Sequence, residues 1–311
     1  MSCPRAHFMT QTNDLTNAAY KQTEIEEWDQ AASAWHKWIP VINAFVHVAT
    51  DIMLDQADIK TGNHVLDITA GDGSQSIMAA ERVGETGTVL ATDLSPAFVK
   101  LAQRIAQTQG VKNLTAEVMD AENLSLKDNS FDAAISRLGM MFLPDPLKGL
   151  QEIYRVLKPS GSFAAIVYTT ADKTPFFTQS PQIIREQLNL PETPTKKTTS
   201  STSASAQAHQ PGPFALGTPD FFADLFAQAG FVNIEQEIIE APLRFETTED
   251  FIQWRRDVAV SHQRMLAGQD TETQERIWQE ITKAMRQYET TDGFETPTEL
   301  LICSGQKSRN S

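Results

Sequence analysis

The chain has 311 residues, 41% of them apolar, and its 40 acidic and 26 basic side chains give a formal net charge of −14 at pH 7. Duplex DNA, RNA and anionic membranes are bound mainly through lysine and arginine, so this charge argues against a nucleic-acid or membrane partner. Two cysteines are too few for a disulfide framework, and no secretory signal or membrane-spanning stretch is visible. We therefore expect a cytoplasmic globular protein without a metal site.

Residues 1–60 are predicted to form a helical segment. Thr23–Glu26 has the pattern of a capping box, which predicts a helix start at that point. Several apolar residues then recur at helical spacing, and we expect them to share one face. They are Trp28, Ala31, Ala32, Trp35, Trp38 and Ile42. This face either packs on the rest of the protein or forms a lid over a ligand site.

Residues 61–170 show the alternation of strands and helices that is typical of a mainly parallel α/β sheet. The predicted strands are His64–Thr69, Thr88–Asp93, Leu114–Val118, Phe131–Ser136 and Ser162–Tyr168. Ser95 followed by Pro96 predicts the start of a helix that ends at Gly110.

A long interruption follows this sheet pattern. Residues 171–190 and 247–290 are predicted to be insertions that cover a substrate. Residues 191–213 contain 17 Pro, Gly, Ser, Thr or Ala in 23 positions, which predicts a flexible loop. The sheet domain resumes over residues 214–306. Its predicted elements there are a helix from Thr218 to Gly230, an extended run over Phe231–Phe245, helices over Thr247–Met265 and Thr271–Tyr288, and a last strand over Glu299–Cys303.

The most informative motif is a Gly-x-Gly turn, Gly71 to Gly73, which follows the first predicted strand. Glycines allow a ligand to approach the backbone closely. Asp93 lies 20 residues beyond Gly73, where a carboxylate can accept hydrogen bonds from both hydroxyls of a ribose. The diphosphate of a dinucleotide is disfavoured, because Ser76 stands where a third glycine would be and Asp67 adds negative charge. The pattern favours S-adenosylmethionine, with an NAD-dependent oxidoreductase as the alternative.

Five segments in order resemble the class I S-adenosylmethionine-dependent methyltransferases, and among them the ubiquinone/menaquinone-biosynthesis group. The segments are Val65–Gly73, Ala91–Pro96, Val118–Glu122, Phe131–Arg137 and Tyr154–Gly161. The resemblance implies a Rossmann-like sheet of seven strands, the last antiparallel, with N-terminal and late helical cap segments. Thr69 and Ser160 stand where the family usually has glycine. Both residues are small, so we expect cofactor binding to be retained.

The resemblance also implies which residues hold the cofactor. Asp67 and the Gly-x-Gly turn would line its methionine end, Asp93 its ribose and Asp120 its adenine amino group, while Ser136 would lie near the sulfonium. All of them fall at the carboxyl ends of predicted parallel strands, where open α/β sheets bind ligands. The predicted cofactor-binding residues are Asp67, Thr69, Gly71, Asp72, Gly73, Asp93, Leu94, Asp120, Ala121 and Ser136.

The acceptor of the methyl group is predicted to be a small molecule, because the fourth strand is followed by Ser136-Arg-Leu-Gly139 and not by the Asn/Asp-Pro-Pro-Tyr run of nitrogen methyltransferases that act on nucleic acids and proteins. The candidate substrate-binding residues are Trp35, Trp38, Arg137 and Met140. Arg137 alternatively forms a structural ion pair, and Met140 alternatively packs in the core. The spacing does not select His36 or His47 as a general base, so no catalytic residue is predicted, and oxygen, nitrogen, sulfur and carbon acceptors all stay open.

Besides the NAD-dependent oxidoreductase, a second alternative function is a non-catalytic regulatory protein that binds S-adenosylmethionine. The sequence is compatible with a monomer and with a homodimer.

Overall fold

The structure is a computed structural model that describes residues 4–191 and 210–310, with residues 4–16 described by their backbone alone. The strands are β1 (His64–Ile68), β2 (Thr88–Asp93), β3 (Leu114–Val118), β4 (Phe131–Arg137), β5 (Leu157–Tyr168), β6 (Val232–Glu240), β7 (Leu243–Phe245), β8 (Glu289–Thr290), β9 (Gly293–Thr296) and β10 (Glu299–Gln306). The α-helices are α1 (Pro4–Gln56), α2 (Ser74–Val83), α3 (Pro96–Thr108), α4 (Pro146–Val156), α5 (Pro175–Leu188), α6 (Pro219–Ala229), α7 (Thr248–Val258), α8 (Val260–Leu266) and α9 (Thr271–Met285).

Seven strands form one sheet in the order β3-β2-β1-β4-β5-β10-β6. Strands β1 to β5 are parallel, and β10 lies antiparallel between β5 and β6. The predicted seven-stranded fold with an antiparallel last strand is confirmed. The strand order reverses at β1, which pairs with both β2 and β4, and such a reversal opens a crevice at the carboxyl ends of the strands.

The predicted extended run over Phe231–Phe245 is wrong in one respect, because it forms two strands in two different sheets. β6 is the edge strand of the large sheet, whereas β7 belongs to a three-stranded sheet of order β7-β9-β8. The break falls at Ala241 and Pro242, and proline cannot donate a hydrogen bond to a neighbouring strand. We call this small sheet, together with α5, α7, α8 and α9, the outer layer.

The helix start predicted at Thr23 is also wrong. Helix α1 is continuous from Pro4 to Gln56, and the Thr23 hydroxyl donates to the Ala19 carbonyl inside the helix. A capping box therefore does not form, because the backbone before Thr23 is already helical. No helix among the described residues combines the length and the apolarity needed to cross a membrane.

The tryptophans of α1 face two regions and not one. Trp28 and Trp35 each lie 6.1 Å from the Phe98 ring of α3. Trp38 instead packs 6.0 Å from Phe245 of the outer layer. Trp38 lies three residues after Trp35, and this spacing turns its side chain by about 60° around the helix axis. Trp38 therefore does not lie on the face that Trp28 and Trp35 share. Helix α1 thus packs between the sheet domain and the outer layer.

The predicted flexible loop over residues 191–213 lies largely outside the described residues. Its described end returns to the large sheet, where the Gly212 N–H donates to the Met141 carbonyl at 3.0 Å, just beyond β4.

Candidate cofactor and acceptor site

The Gly-x-Gly turn links β1 to α2 at the point where the strand order reverses. Gly71 has a φ of 57° and Gly73 a φ of 77°, the left-handed region that glycine adopts without strain. A Cβ on Gly73 would come within 2.9 Å of the Ala102 Cβ, so α3 packs against the turn only because glycine stands there.

Thr69, which stands where the resembling family has glycine, also has a positive φ, at 57°. This conformation is strained for a β-branched residue, at a cost of about 1–2 kcal/mol. The Thr69 hydroxyl is hydrogen-bonded with the Ser136 hydroxyl at 2.7 Å. Gly139 makes room for it, since a Cβ on Gly139 would lie 2.0 Å from the Thr69 Oγ1. The threonine is therefore accommodated by a second glycine after β4.

Asp67 is fully buried beneath this turn. Its carboxylate accepts hydrogen bonds from the Ser76 hydroxyl and, at 3.3 Å, from the Gln75 amide. Burial raises the pKa of Asp67 to about 7, and the two hydrogen bonds oppose that rise. Asp67 consequently changes its charge near neutral pH.

Asp93 ends β2 and is held by backbone groups. One carboxylate oxygen accepts from the Gly71 N–H and the other from the Ser95 N–H, both at 2.9 Å. Burial raises the pKa of Asp93, and these backbone hydrogen bonds oppose the rise. These hydrogen bonds fix the orientation of the carboxylate, and the residue is partly exposed.

Asp120 follows β3 and has a different partner. Lys21 of α1 donates to Asp120 and to Glu122, at 2.7 Å in each case. The two carboxylates raise the pKa of Lys21 although its own burial lowers it. No pattern in the sequence of the helix indicates the role of Lys21, because its partner Asp120 lies 99 residues away along the chain.

Helix α1 crosses the carboxyl ends of the strands in the order β3, β2, β1, β4. After Lys21, Asp29 accepts from the Ser95 hydroxyl and, at 3.1 Å, from the Ala97 N–H. The Trp35 indole then donates to Asp72 at 3.1 Å. The remaining contacts along this edge are Asn43 with Ser74 at 3.2 Å and with Arg137 at 3.5 Å, and Thr50 with Arg137 at 3.3 Å.

The other predicted site residues differ in their burial and in their position. Ser136 and Met140 are fully buried, Met140 belongs to the hydrophobic core, and Ala121 is also buried. Leu94 is partly buried beside Asp93. The Trp38 indole donates to Asp257 of α7 at 2.9 Å, which places Trp38 against the outer layer.

Arg137 ends β4 and forms no ion pair with any residue in the described ranges. Asp132, at the other end of the same strand, pairs with Lys158 at 2.7 Å. Burial lowers the pKa of Arg137, and the negative charges of Asp72 and Asp67 oppose this. Among the residues that the structure describes, the guanidinium therefore has two long hydrogen bonds, to Thr50 and Asn43, beside the predicted cofactor site.

This geometry can be compared with known proteins. A family model described as a methyltransferase domain matches residues 59–217, just over half of the chain, and this span contains the Gly-x-Gly turn, Asp93 and Asp120. The chain belongs to the methyltransferase-domain family. Membership confirms the resemblance found in the sequence and identifies S-adenosylmethionine as the cofactor.

The chain is also similar to two named methyltransferases. It is 32% identical over 117 residues to the ubiquinone/menaquinone biosynthesis C-methyltransferase of Hydrogenovibrio crunogenus, covering 37% of this chain and 46% of the relative. It is 29% identical over 150 residues to the aklanonic acid methyltransferase of Streptomyces sp. strain C5, covering 48% and 67%. The chain spans about half the length of the first curated relatives it matches.

A solved structure supports the fold assignment. The YcgJ protein of Bacillus subtilis superposes with a TM-score of 0.54 at 18% identity, covering 84% of this chain and 99% of that one. At this identity the likeness concerns the fold alone.

The residues at this edge of the sheet fit S-adenosylmethionine. A Cβ built on Gly71 meets only one atom within 4 Å, on the Phe98 ring, so the backbone of the turn is open on that side. The Asp93 carboxylate is fixed in place, and Asp67 places a second acidic group below the turn. A nucleoside with a cationic methionine side chain matches this set of acceptors. When bound, S-adenosylmethionine supplies an activated methyl group.

Proposed function

We propose that the protein transfers a methyl group from S-adenosylmethionine to a small-molecule acceptor. The observation that carries the proposal is Asp93, whose carboxylate is held at 2.9 Å by the N–H groups of Gly71 and Ser95 at the edge where the strand order reverses. The proposal is supported by the two relatives, whose names describe methyltransferases of small molecules. The acidic net charge also favours a small acceptor over a nucleic acid.

In this proposal Asp93 binds the ribose, Asp120 the adenine amino group, and Asp67 lies near the cationic methionine end. The sulfonium of the donor is already activated, so the tasks left to the protein are alignment of the acceptor, exclusion of water and, for a hydroxyl or amine acceptor, removal of a proton. No side chain is assigned as the general base.

Helix α1 acts as a lid in this proposal, and the outer layer covers the acceptor. The contacts of Lys21, Asp29 and Trp35 along the strand ends support the lid role, because each occupies a group at or beside the predicted cofactor site. Cofactor entry then requires at least the Lys21 end of the helix to move. The predicted cytoplasmic location and the choice between monomer and homodimer stay predictions.

Calorimetric titration of the full chain with S-adenosylmethionine, S-adenosylhomocysteine and NAD tests the cofactor. We expect binding of the first two ligands and none of NAD. Binding of NAD alone would favour the oxidoreductase and overturn the proposal.

A screen of cell metabolites for transfer of a labelled methyl group tests the reaction. We expect label in a small organic product. Cofactor binding with no transfer to any metabolite, protein or nucleic acid would favour the regulatory protein that binds S-adenosylmethionine without turnover.

A further inference from the structure

Arg255 of α7 is a buried cation without a counter-charge in the part of the chain that the structure describes. The residue is 4% exposed, and no described carboxylate lies within 4.0 Å of its nitrogens. Its Nε has no hydrogen-bond partner within residues 4–191 and 210–310, and its Nη2 lies 3.4 and 3.5 Å from the ring nitrogens of His262. His262 does not neutralise the charge, since histidine carries no negative charge and burial lowers the pKa of its ring well below the ordinary value.

Three aromatic rings surround the guanidinium. Its Cζ lies 5.2 Å from the ring centroid of Trp254, 5.3 Å from that of Phe177 and 5.7 Å from that of Phe176. Cation–π contacts compensate part of the lost hydration. The rings supply no oxygen or nitrogen acceptor, however, so they do not satisfy the five N–H donors of the guanidinium.

Other buried hydrogen-bond donors near Arg255 also lack partners. The Trp254 indole N–H is the neighbouring group on α7, and the Ser180 hydroxyl lies one helical turn after Phe176, on the same face of α5. The Thr174 hydroxyl, at the start of α5, is likewise buried and unpaired. Buried donors are normally satisfied. A group that only accepts hydrogen bonds, such as a carboxylate, is the kind of partner that such donors lack.

The same aromatic cluster reaches the strand ends of the large sheet. Tyr168, the last residue of β5, lies 5.0 Å from Phe177 and stacks on Phe45 of α1 at 6.5 Å. Burial raises the pKa of Tyr168, and the charges of Arg255 and Arg137 both oppose that rise. Two guanidinium groups therefore act on one phenol at the edge where the methyl donor is proposed to bind.

A cavity of about 580 Å³ with aromatic and charged walls adjoins this cluster. Its aromatic walls are Trp38, Phe45 and Phe245, and its charged walls are Arg244, Glu246, Asp250 and Asp292. The Phe245 ring lies 5.5 Å from the Trp254 ring, whose own neighbour is Arg255. The Phe245 and Trp254 rings therefore stand between the cavity and the guanidinium, and both must turn for one ligand to reach from the cavity to Arg255.

We propose that Arg255 binds the carboxylate of the methyl acceptor, and that the acceptor is an aromatic carboxylic acid whose ring system lies against Trp38, Phe45 and Phe245. This inference rests on the proposed methyltransferase function and adds the chemical class of its substrate. Removing the hydration of a charge without pairing it destabilises a fold strongly. A binding role explains why the chain keeps this cation where an apolar residue would be more stable.

The test uses a matched pair of probes, 2-naphthoate and its neutral amide 2-naphthamide, titrated calorimetrically into the full chain saturated with S-adenosylhomocysteine. We expect the wild-type protein to prefer the carboxylate by about tenfold or more, the range of a hydrogen bond to a charged group. Arg255→Met keeps the volume and removes the charge, so it should abolish the preference. Arg256→Met is the control, because that neighbouring arginine is already paired with Glu275 at 2.9 Å, and its variant should keep the preference.

Thermal unfolding separates binding from a structural role. If Arg255 serves binding, Arg255→Met raises Tm, because an unpaired buried charge is lost; if Arg255 holds the outer layer together, the variant lowers Tm and leaves the preference unchanged. For the wild-type protein alone, 2-naphthoate should raise Tm more than 2-naphthamide does.

Equal binding of the two probes, no measurable binding of 2-naphthoate, or an unchanged preference in Arg255→Met would overturn the inference. Failure of S-adenosylhomocysteine to bind in the same titrations would instead overturn the proposed function.

Discussion

Asp93 ends β2 and Asp120 follows β3, the neighbouring strand of the large sheet. Both carboxylates are predicted to bind the same nucleoside, yet their present hydrogen-bond partners are of different kinds. Asp93 is fixed by the backbone N–H groups of Gly71 and Ser95, which belong to the loops around it. Asp120 is bound by Lys21, a long side chain from a helix at the other end of the chain. The first carboxylate is organised before the ligand arrives, whereas the second must exchange one partner for another.

The largest expected effect is on the organised carboxylate. Asp93→Ala should weaken S-adenosylmethionine binding about 10- to 100-fold, because hydrogen bonds between hydroxyls and a charged acceptor are lost. Asp120→Ala should cost less, because it also removes the contact that Lys21 makes before binding. Calorimetry on both variants, with Asp224→Ala on exposed α6 surface as the control, measures the difference. Equal losses for the two variants would break the comparison.

A pH titration concerns the third carboxylate, Asp67, which is held by the side chains of Ser76 and Gln75. Burial raises its pKa from 3.8 to about 7, so the folded state favours the protonated form, and this carboxyl opposes folding increasingly as the pH rises from about 4 through 7. A cationic ligand favours the ionised form. Affinity should therefore increase up to about tenfold between pH 6 and 8.

Calorimetry in two buffers with different ionisation enthalpies should show that a proton is released when S-adenosylmethionine binds below pH 7. Asp67→Asn should remove both the release and the pH dependence. Proton uptake on binding would contradict the assignment of Asp67 to the cationic end of the ligand.

Removing Lys21, the partner that Asp120 must exchange, should change the affinity for S-adenosylmethionine less than Asp93→Ala does, and in the opposite direction. Lys21→Met should strengthen S-adenosylmethionine binding about two- to fivefold, the range of a partly exposed ion pair, because Asp120 no longer has to be freed. The gain should shrink in high salt, which weakens the wild-type ion pair as well. Lys37→Met is the matched control on the same helix, since Lys37 pairs with Asp257 of the outer layer at 2.8 Å. Weaker binding in Lys21→Met would show that the lysine supports the site.

The features of this fold that the sequence predicts are those that depend on contacts between residues close together along the chain. The strands, the Gly-x-Gly turn and the position of Asp93 depend on contacts close in sequence, such as the cap of α3, where the Phe98 N–H donates to Ser95. The same kind of local pattern predicted a helix start at Thr23, which failed because the preceding residues are helical too. Lys21 with Asp120, and Arg255 within its aromatic cage, arise only when distant helices pack, so no local pattern indicates them.

The smallest expected effect concerns the two positions where local sequence departs from the resembling family, Thr69 and Ser160. Both have positive φ, at 57° and 67°. Ser160→Gly should stabilise the protein by about 0.5–1 kcal/mol, because relief of the left-handed strain exceeds the added freedom of glycine in the unfolded chain. Thr69→Gly should gain less or lose stability, because it also removes the hydrogen bond with Ser136 and empties the space beside Gly139.

Thermal unfolding of the two glycine variants, with Ser162→Gly in β5 as a control expected to be destabilised, gives the difference directly. An equal gain at positions 69 and 160 would mean that the contacts of Thr69 with Ser136 contribute no stability and that the turn beneath the cofactor site is held by its glycines alone. A loss at position 69 alone would instead show that this chain has replaced the backbone freedom of a glycine by a side-chain hydrogen bond, so that its Gly-x-Gly turn is braced against β4.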